Sequence, residues 1–231
     1  MEKIINLKNI KERLTTCIWY NYYNNYNRYN GYTNFVLMKK QRALIIIKPD
    51  AVERGLSGTI TKRFENVGLT IIGLKFQKAD SATVVAHYPS TDVWFEKVGQ
   101  RTLKNCAAKG VDPKVVFKTD DAVSIGKQVK QWLITYFQES PVLIMAVEGY
   151  ECIEIIRKLS GNTIPVLAAP GTIRGDFSHD SIDLANEAMR PLRNAIHASD
   201  AIEDGEKEVA LWFKPEELFV YERADEKIMF P

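Results

Sequence analysis

Little in this chain of 231 residues could serve as a covalent or metal staple. The three cysteines, Cys17, Cys106 and Cys152, are odd in number, form no Cys-x-x-Cys pair and have no histidine nearby. That argues against a disulfide framework and a structural zinc site; it fits a reducing compartment, so a cytoplasmic location is expected. Long hydrophobic runs are also missing. The longest, Ala43–Ile47 and Val142–Val147, are far below the ~18 residues of a membrane span. The sequence has no G-x-x-x-x-G-K-[ST], no G-x-G-x-x-G and no G-x-S-x-G. No cluster of histidine, cysteine or carboxylate residues has metal-ligand spacing. Phosphate chemistry in this chain would have to proceed without a P-loop.

What is present is an ordinary globular composition, 45% hydrophobic and 26% charged, long enough to bury a sizeable core. The net charge of +2 conceals an asymmetry. Residues 1–42 hold eight Lys or Arg against two Glu, which leaves 23 basic and 27 acidic residues for the rest. The body is therefore slightly acidic and offers no surface for sequence-specific nucleic-acid binding. Within the basic front end, Trp19–Asn34 contains six Tyr and six Asn in sixteen residues. Such a tract has no periodic apolar face, so residues 1–41 are expected to be a disordered extension. Ile4, Leu7, Ile10 and Leu14 could line a short basic amphipathic helix ahead of it, as a transit peptide or a weak membrane-surface anchor. The plainer explanation is an unselected extension or a start assigned too early, with Met38 a natural start.

From residue 42 onward strand and helix signals alternate. Ala43–Ile47 reads as a buried strand closed by Lys48-Pro49-Asp50. Ser57 would cap a helix carrying Ile60, Phe64 and Val67, stopped by Gly68. Leu69–Lys78 alternates with Ile72, Leu74 and Phe76 on one side, as a half-buried strand does. Ser81 would cap a short helix to His87. Val142–Val147 is a second buried strand, followed by a helix with Cys152, Ile155, Ile156 and Leu159 inward. Val209–Phe213 is the last strand candidate. This order predicts an α+β fold, a ferredoxin-like βαββαβ antiparallel sheet. Residues 89–139 interrupt it as a helical insertion, Trp94–Lys109 and then Ser124–Gln138. Residues 160–196 form a long irregular region of the kind that is usually functional or disordered. No internal repeat is visible.

The chemistry concentrates in that irregular region. Arg157 lies just ahead of it, then Thr163, Pro170-Gly-Thr-Ile-Arg174-Gly-Asp-Phe177, and Arg193-Asn194-Ala-Ile-His197-Ala-Ser199-Asp200. Arginines supply fixed forks of donors for phosphate oxygens, and a histidine near its ordinary pKa has a ring nitrogen free to attack. Taken singly, each residue is more often a satisfied or solvated polar side chain than a catalyst.

Together with Ile47-Lys-Pro-Asp50 and Glu206-Lys-Glu…Leu211-Trp-Phe-x-Pro-Glu-Glu-Leu218, these segments resemble the nucleoside diphosphate kinase family over roughly residues 42–221. The run Arg193–Asp200 is the most specific part. The long insertion resembles archaeal and some bacterial members more than animal ones. The resemblance implies transfer of the γ-phosphoryl group of ATP or another nucleoside triphosphate to a nucleoside diphosphate. It implies His197 as the nucleophile, Glu208 on its other ring nitrogen, and Lys48 over the transferring group. Arg157, Thr163 and Arg174 would hold the α- and β-phosphates, and Tyr88 and Asn194 would act near the histidine and at the ribose. Trp94 and Phe95 correspond to the family's aromatic pair, set closer to Tyr88, and one of them would stack on the base. Mg²⁺ would come with the nucleotide phosphates, with few or no direct protein ligands. A homo-oligomer, hexamer or tetramer, is also implied.

Two other classes compete: a catalytically silent nucleotide-binding regulator on the same sheet, and a ferredoxin-like interaction module that binds no nucleotide. Neither needs a histidine paired with an orienting carboxylate, so the simultaneous presence of His197, Glu208, Lys48, Arg157 and Arg174 favours the kinase.

Overall fold

The run Ala43–Ile47 is a strand, and all five of its side chains are fully buried. In the computed structural model, which describes residues 39–230, β1 spans Gln41–Ile47. The expected basic helix and the Tyr/Asn tract lie outside the described residues. After β1 come α1 (Pro49–Glu53), α2 (Ser57–Asn66), β2 (Thr70–Gln77) and α3 (Ser81–His87). The insertion supplies α4 (Asp92–Ala108), α5 (Pro113–Phe117) and α6 (Ala122–Phe137). The remainder is β3 (Val142–Gly149), α7 (Cys152–Ser160), α8 (Ile173–Phe177), α9 (Ile182–Glu187), β4 (Ile196–Ala198), α10 (Ile202–Trp212) and α11 (Glu226–Met229). No helix among the described residues is long and apolar enough to cross a membrane.

The four strands lie in the order β2-β3-β1-β4, each pair antiparallel. This is the expected ferredoxin-like α+β sheet. Alternation along β1 divides the core between two faces. Ala43, Ile45 and Ile47 join Ile60 and Phe64 of α2 and Cys152 and Ile156 of α7. Leu44 and Ile46 join Val84 of α3, Ile134 and Phe137 of α6, and Val209 and Trp212 of α10. Each such fully buried aliphatic side chain contributes about 1.5–3 kcal/mol, so β1 is the anchor from which both faces are organised.

Three details differ from the sequence expectation. Val209–Phe213 is not a strand: Gly205, Val209 and Trp212 recur at helical spacing and form the buried stripe of α10. The fourth strand is instead the three residues around His197, too short to give a periodic signal. In β2, a bulge between Ile71 and Gly73 breaks the alternation. Ile72 is buried, whereas Leu74 and Phe76 are 56% and 62% exposed. Finally, α3 is capped by Asp80, which accepts from the Thr83 amide, not by Ser81, and α2 starts at Ser57 without a side-chain cap.

The insertion packs α4 against α6 and has a small core of its own, Cys106, Phe117 and Ile125. Glycines set how closely the two helices approach. A Cβ on Gly99 would lie 1.8 Å from the Ala122 carbonyl oxygen, and one on Gly126 2.1 Å from that of Phe95. Backbone cannot retreat as a flexible side-chain end can. We therefore expect Gly126→Ala to cost about 2–3 kcal/mol, seen as a drop of about 5–10 °C in thermal midpoint. An unchanged midpoint would show that the two helices do not pack this closely.

Candidate active site

His197 sits in β4 opposite Ile46 of β1, so its side chain shares the face of Ile46, towards α3, α6 and α10. Its Nε2 lies 3.0 Å from the Glu208 carboxylate. The ionised carboxylate only accepts, so Nε2 carries the proton and Nδ1 keeps the lone pair. Glu208 also accepts from the Ser199 hydroxyl at 2.6 Å, and Ser199 Oγ in turn accepts from the Leu44 amide at 2.9 Å. Burial alone would raise the Glu208 carboxyl, but the hydrogen bonds from His197 and Ser199 hold it below its ordinary value. The orientation of the His197 ring is thus tied to β1 through two side chains.

A second histidine lies behind the first. The His87 and His197 rings meet edge to face with centroids 4.4 Å apart. His87 Nδ1 accepts from the Trp212 indole at 3.3 Å. Burial, and secondarily the neighbouring His197, push its pKa down to about 3. His87 is therefore neutral throughout the working range and cannot compete for the Glu208 carboxylate as a cation. Above pH ~6.5 it is uncharged in both folded and unfolded chains and adds no pH dependence. Below that, the unfolded chain takes up a proton that the folded chain refuses, which costs about 2 kcal/mol of stability by pH 5. Urea unfolding at pH 7 and pH 5 should show that His87→Gln loses about 2 kcal/mol less over this interval than the parent protein; equal losses would mean that His87 titrates normally.

The turn before β4 is strained. Ala195 is fully buried and has φ +63°, a conformation costing a non-glycine residue about 1–3 kcal/mol. Asp50, buried at the start of α1, holds it by accepting from the Ala195 amide at 3.1 Å and from the Tyr136 hydroxyl. The Lys48 amide donates to the Ala195 carbonyl at 2.8 Å. Asn194 and His197 flank this pinned turn, and both line the same cleft.

Lys48 ends β1, and its Nζ donates to Asn194 Oδ1 at 2.7 Å. Asn194 donates in turn to the Thr163 carbonyl at 2.8 Å. Burial, helped by the nearby Arg174, lowers the Lys48 pKa to about 7. Arg174 of α8 donates to the carbonyls of Gly161 and Ile196 at 2.9 Å each and of Asn194 at 3.3 Å. Three of its five N–H groups are thereby committed to the protein, leaving two for a ligand. Arg157 of α7 pairs with Asp200.

Lys48, Tyr88, Arg157, Thr163, Arg174, Asn194 and His197 all line one cleft of about 320 Å³. Glu208 lies behind His197, as its hydrogen bond requires. Trp94 and Phe95 are not in the cleft lining. Phe95 is only 8% exposed, turned into the α4–α6 contact, and Trp94 stands against the Tyr88 ring with centroids 6.3 Å apart. The lining instead includes Val129, Trp132 and Leu133 of α6, together with Pro191 and Leu192. Sequence reasoning missed these because α6 buries residues around much of its circumference, so no stripe singled out the cleft face. It also missed His87, Asp50, Tyr136 and Ser199 as supports, although Asp50 and Ser199 lie within the motifs it named and His87 directly precedes Tyr88. Asp200 is the sole acidic residue of the cleft lining, and it is already paired. The site is thus suited to an anion.

A histidine with one nitrogen held by a carboxylate, in the lining of a cleft rich in cations, is an arrangement suited to phosphoryl transfer. The sequence model of the nucleoside diphosphate kinase family matches residues 41–130 and 122–218. The chain is 44% identical to a nucleoside diphosphate kinase of Pyrobaculum aerophilum over 78% of its own length and 99% of that protein. The crystal structure of a Pyrobaculum aerophilum NDP kinase superposes with a TM-score of 0.77 at 42% identity, covering 79% of this chain and 100% of that one. A transition-state mimic of the Borrelia burgdorferi nucleoside-diphosphate kinase, with bound vanadate and ADP, superposes with a TM-score of 0.64 at 37% identity, covering 81% and 95%. The chain belongs to the nucleoside diphosphate kinase family.

Proposed function

We propose that the protein transfers the γ-phosphoryl group of a nucleoside triphosphate to a nucleoside diphosphate by a ping-pong route through His197. The observation that carries this is the His197–Glu208 pair at the end of the cationic cleft. In the first half-reaction the Nδ1 lone pair attacks the γ-phosphorus as the bond to the β-phosphate bridging oxygen breaks, and the diphosphate leaves. The proton stays on Nε2, hydrogen-bonded to Glu208, whose carboxylate balances the charge gained by the ring. In the second half-reaction a new diphosphate attacks the phosphohistidine and restores the free imidazole. Lys48, Arg157 and the two uncommitted donors of Arg174 neutralise the phosphates, Thr163 and Asn194 bound the slot, and Tyr88 lines the cleft with its ring packed against that of His87. This is what phosphoryl transfer asks of a protein, positioning and charge stabilisation. Mg²⁺ would arrive with the nucleotide and supply further charge neutralisation of the phosphates; the scarcity of carboxylates in the cleft, where Asp200 alone lines it, supports its arriving with the substrate. The base would lie between Val129 and Leu133 on one side and Pro191 on the other, which replaces stacking on Trp94 or Phe95.

The test is to incubate the protein with γ-labelled ATP and Mg²⁺. Label on the protein should be lost in acid, kept in alkali and released by added diphosphates. Absence of label, or an acid-stable one, would leave the silent nucleotide-binding regulator as the better description. A cytoplasmic location is consistent with Cys106 and Cys152 being free thiols, and cell fractionation checks it.

The same reading includes a homo-oligomer. The support is the β2 edge of the sheet, which the C-terminal segment meets at the Ile72 carbonyl through the Phe219 amide, and around which Leu74, Phe76, Phe219 and Val220 are all more than half exposed. Sedimentation equilibrium at micromolar concentration should therefore return a multiple of 26.3 kDa; a monomer alone would exclude it. We further propose that residues before Met38 are dispensable for phosphate transfer, since the family match begins at residue 41, and assay of a chain starting at Met38 decides this.

A further inference from the structure

The insertion grips the end of α3 through one buried cation. Lys130 of α6 is only 6% exposed, and burial, with no carboxylate opposing it, lowers its pKa. Its Nζ donates to the Tyr88 carbonyl at 2.6 Å, to the Val85 carbonyl at 3.0 Å and to the Ser90 hydroxyl, with the Pro89 carbonyl at 3.4 Å. All three N–H groups of the ammonium are thereby committed to one short stretch of chain. The sequence explains why that stretch needs them. The next helical donor for the Val85 carbonyl would come from residue 89, which is proline and has no N–H. Lys130 supplies the missing donor, and its charge opposes the negative pole at the end of α3.

We propose that Lys130 is a positioning residue for phosphoryl transfer, fixing the place of Tyr88 beside the two histidines. The proposal rests on the kinase reading and deepens it. Of the four residues that the ammonium meets, Tyr88 alone lines the cleft; the other three are exposed. The Tyr88 ring meets the His87 ring edge to face with centroids 4.9 Å apart, and His87 meets His197 in the same way at 4.4 Å. A shift of Tyr88 therefore passes through two ring contacts to the nucleophile. Val129 and Leu133, on either side of Lys130 along α6, line the cleft as well, so one helix fixes that wall and Tyr88 together. Misplacing a reacting group by about 1 Å costs up to ~10²-fold in rate. Lys130 acts at two contacts' remove, so about tenfold is expected. A lysine that only held the fold together would, when lost, lower stability and leave the rate of the folded protein unchanged.

The experiment follows single-turnover formation of the phosphoenzyme from γ-labelled ATP and Mg²⁺ over a range of ATP concentrations, beside thermal unfolding of the same proteins. Lys130→Met keeps the aliphatic stem and removes the ammonium. Its maximal rate should fall about tenfold, while the ATP concentration giving half that rate stays within about twofold of the parent's. Lys130→Gln keeps N–H donors on a shorter stem and should lose about threefold. It takes the place of Lys130→Met throughout if that variant does not fold. A double-mutant cycle with Tyr88→Ala separates positioning from stability. In the Tyr88→Ala background the lysine substitution should lower the thermal midpoint as before but cost no further rate, because the ring it positions is gone. Parent-like rates in the lysine variants overturn the proposal, as does a loss confined to the half-maximal concentration or one that recurs in full without the Tyr88 ring. Failure of the kinase reading looks different: the parent protein itself forms no phosphoenzyme, and this proposal falls with it.

Discussion

His197→Ala is expected to abolish acid-labile labelling by γ-labelled ATP and to lower turnover by on the order of 10⁴–10⁶. Nucleotide affinity should stay within about threefold, because Lys48, Arg157 and Arg174 keep their positions without the imidazole, each being held by other partners. The expectation is sharp because the alternatives are weak. His87 has Nδ1 occupied by the Trp212 indole and a nearly inaccessible side chain. His179 follows α8 and does not line the cleft. Acid-labile phosphate persisting in His197→Ala would move the nucleophile to one of these two. Glu208→Gln should be milder, since an amide still accepts from Nε2–H but no longer balances the ring's charge. The Ser199 hydroxyl, left with a weaker acceptor, loses its charge-assisted bond as well.

Lys48→Gln is expected to lower kcat by about 10²–10³, the usual consequence of removing one charged donor from a transferring group. Its pKa adds a thermodynamic signature. With a pKa lowered to about 7, about half of the free protein at pH 7 carries a neutral Lys48, and about nine-tenths at pH 8. An anionic nucleotide restores the charged form. Binding should therefore take up about 0.5 proton at pH 7 and about 0.9 at pH 8 through this group, and little at pH 6. The sign follows from the direction of the shift: a group depressed in the free state and raised by the ligand binds a proton on complex formation. Calorimetry in buffers of different ionisation enthalpy measures the uptake, and Lys48→Gln should lack this component. Identical uptake by the two proteins would mean that Lys48 is already charged in the empty cleft.

The strand of Ala43–Ile47 and the run of Val142–Val147 were legible in the sequence because a strand buried on both faces needs no partner to betray it. His197, Lys48, Arg157, Arg174 and Asn194 were legible because phosphate chemistry needs those residue types, and the segments that carry them resemble a family. What the sequence could not settle were matters of orientation. Val209–Phe213 has the composition of a strand, yet Val209 and Trp212 lie one helical turn apart on the same stripe of α10, and only packing against Leu44 and Ile46 selects the helix. Trp94 and Phe95 have the composition of a base platform, yet the Gly99 and Gly126 contacts draw α4 onto α6 and turn Phe95 inward. The strained turn at Ala195, pinned by Asp50 145 residues away in sequence, leaves no local trace at all. Residue types and short-range periodicity thus determined the sheet and the chemistry, because both are properties of neighbours along the chain. Which face of each helix meets the cleft was decided by contacts between residues far apart in sequence, and those exist only once the sheet has brought them together.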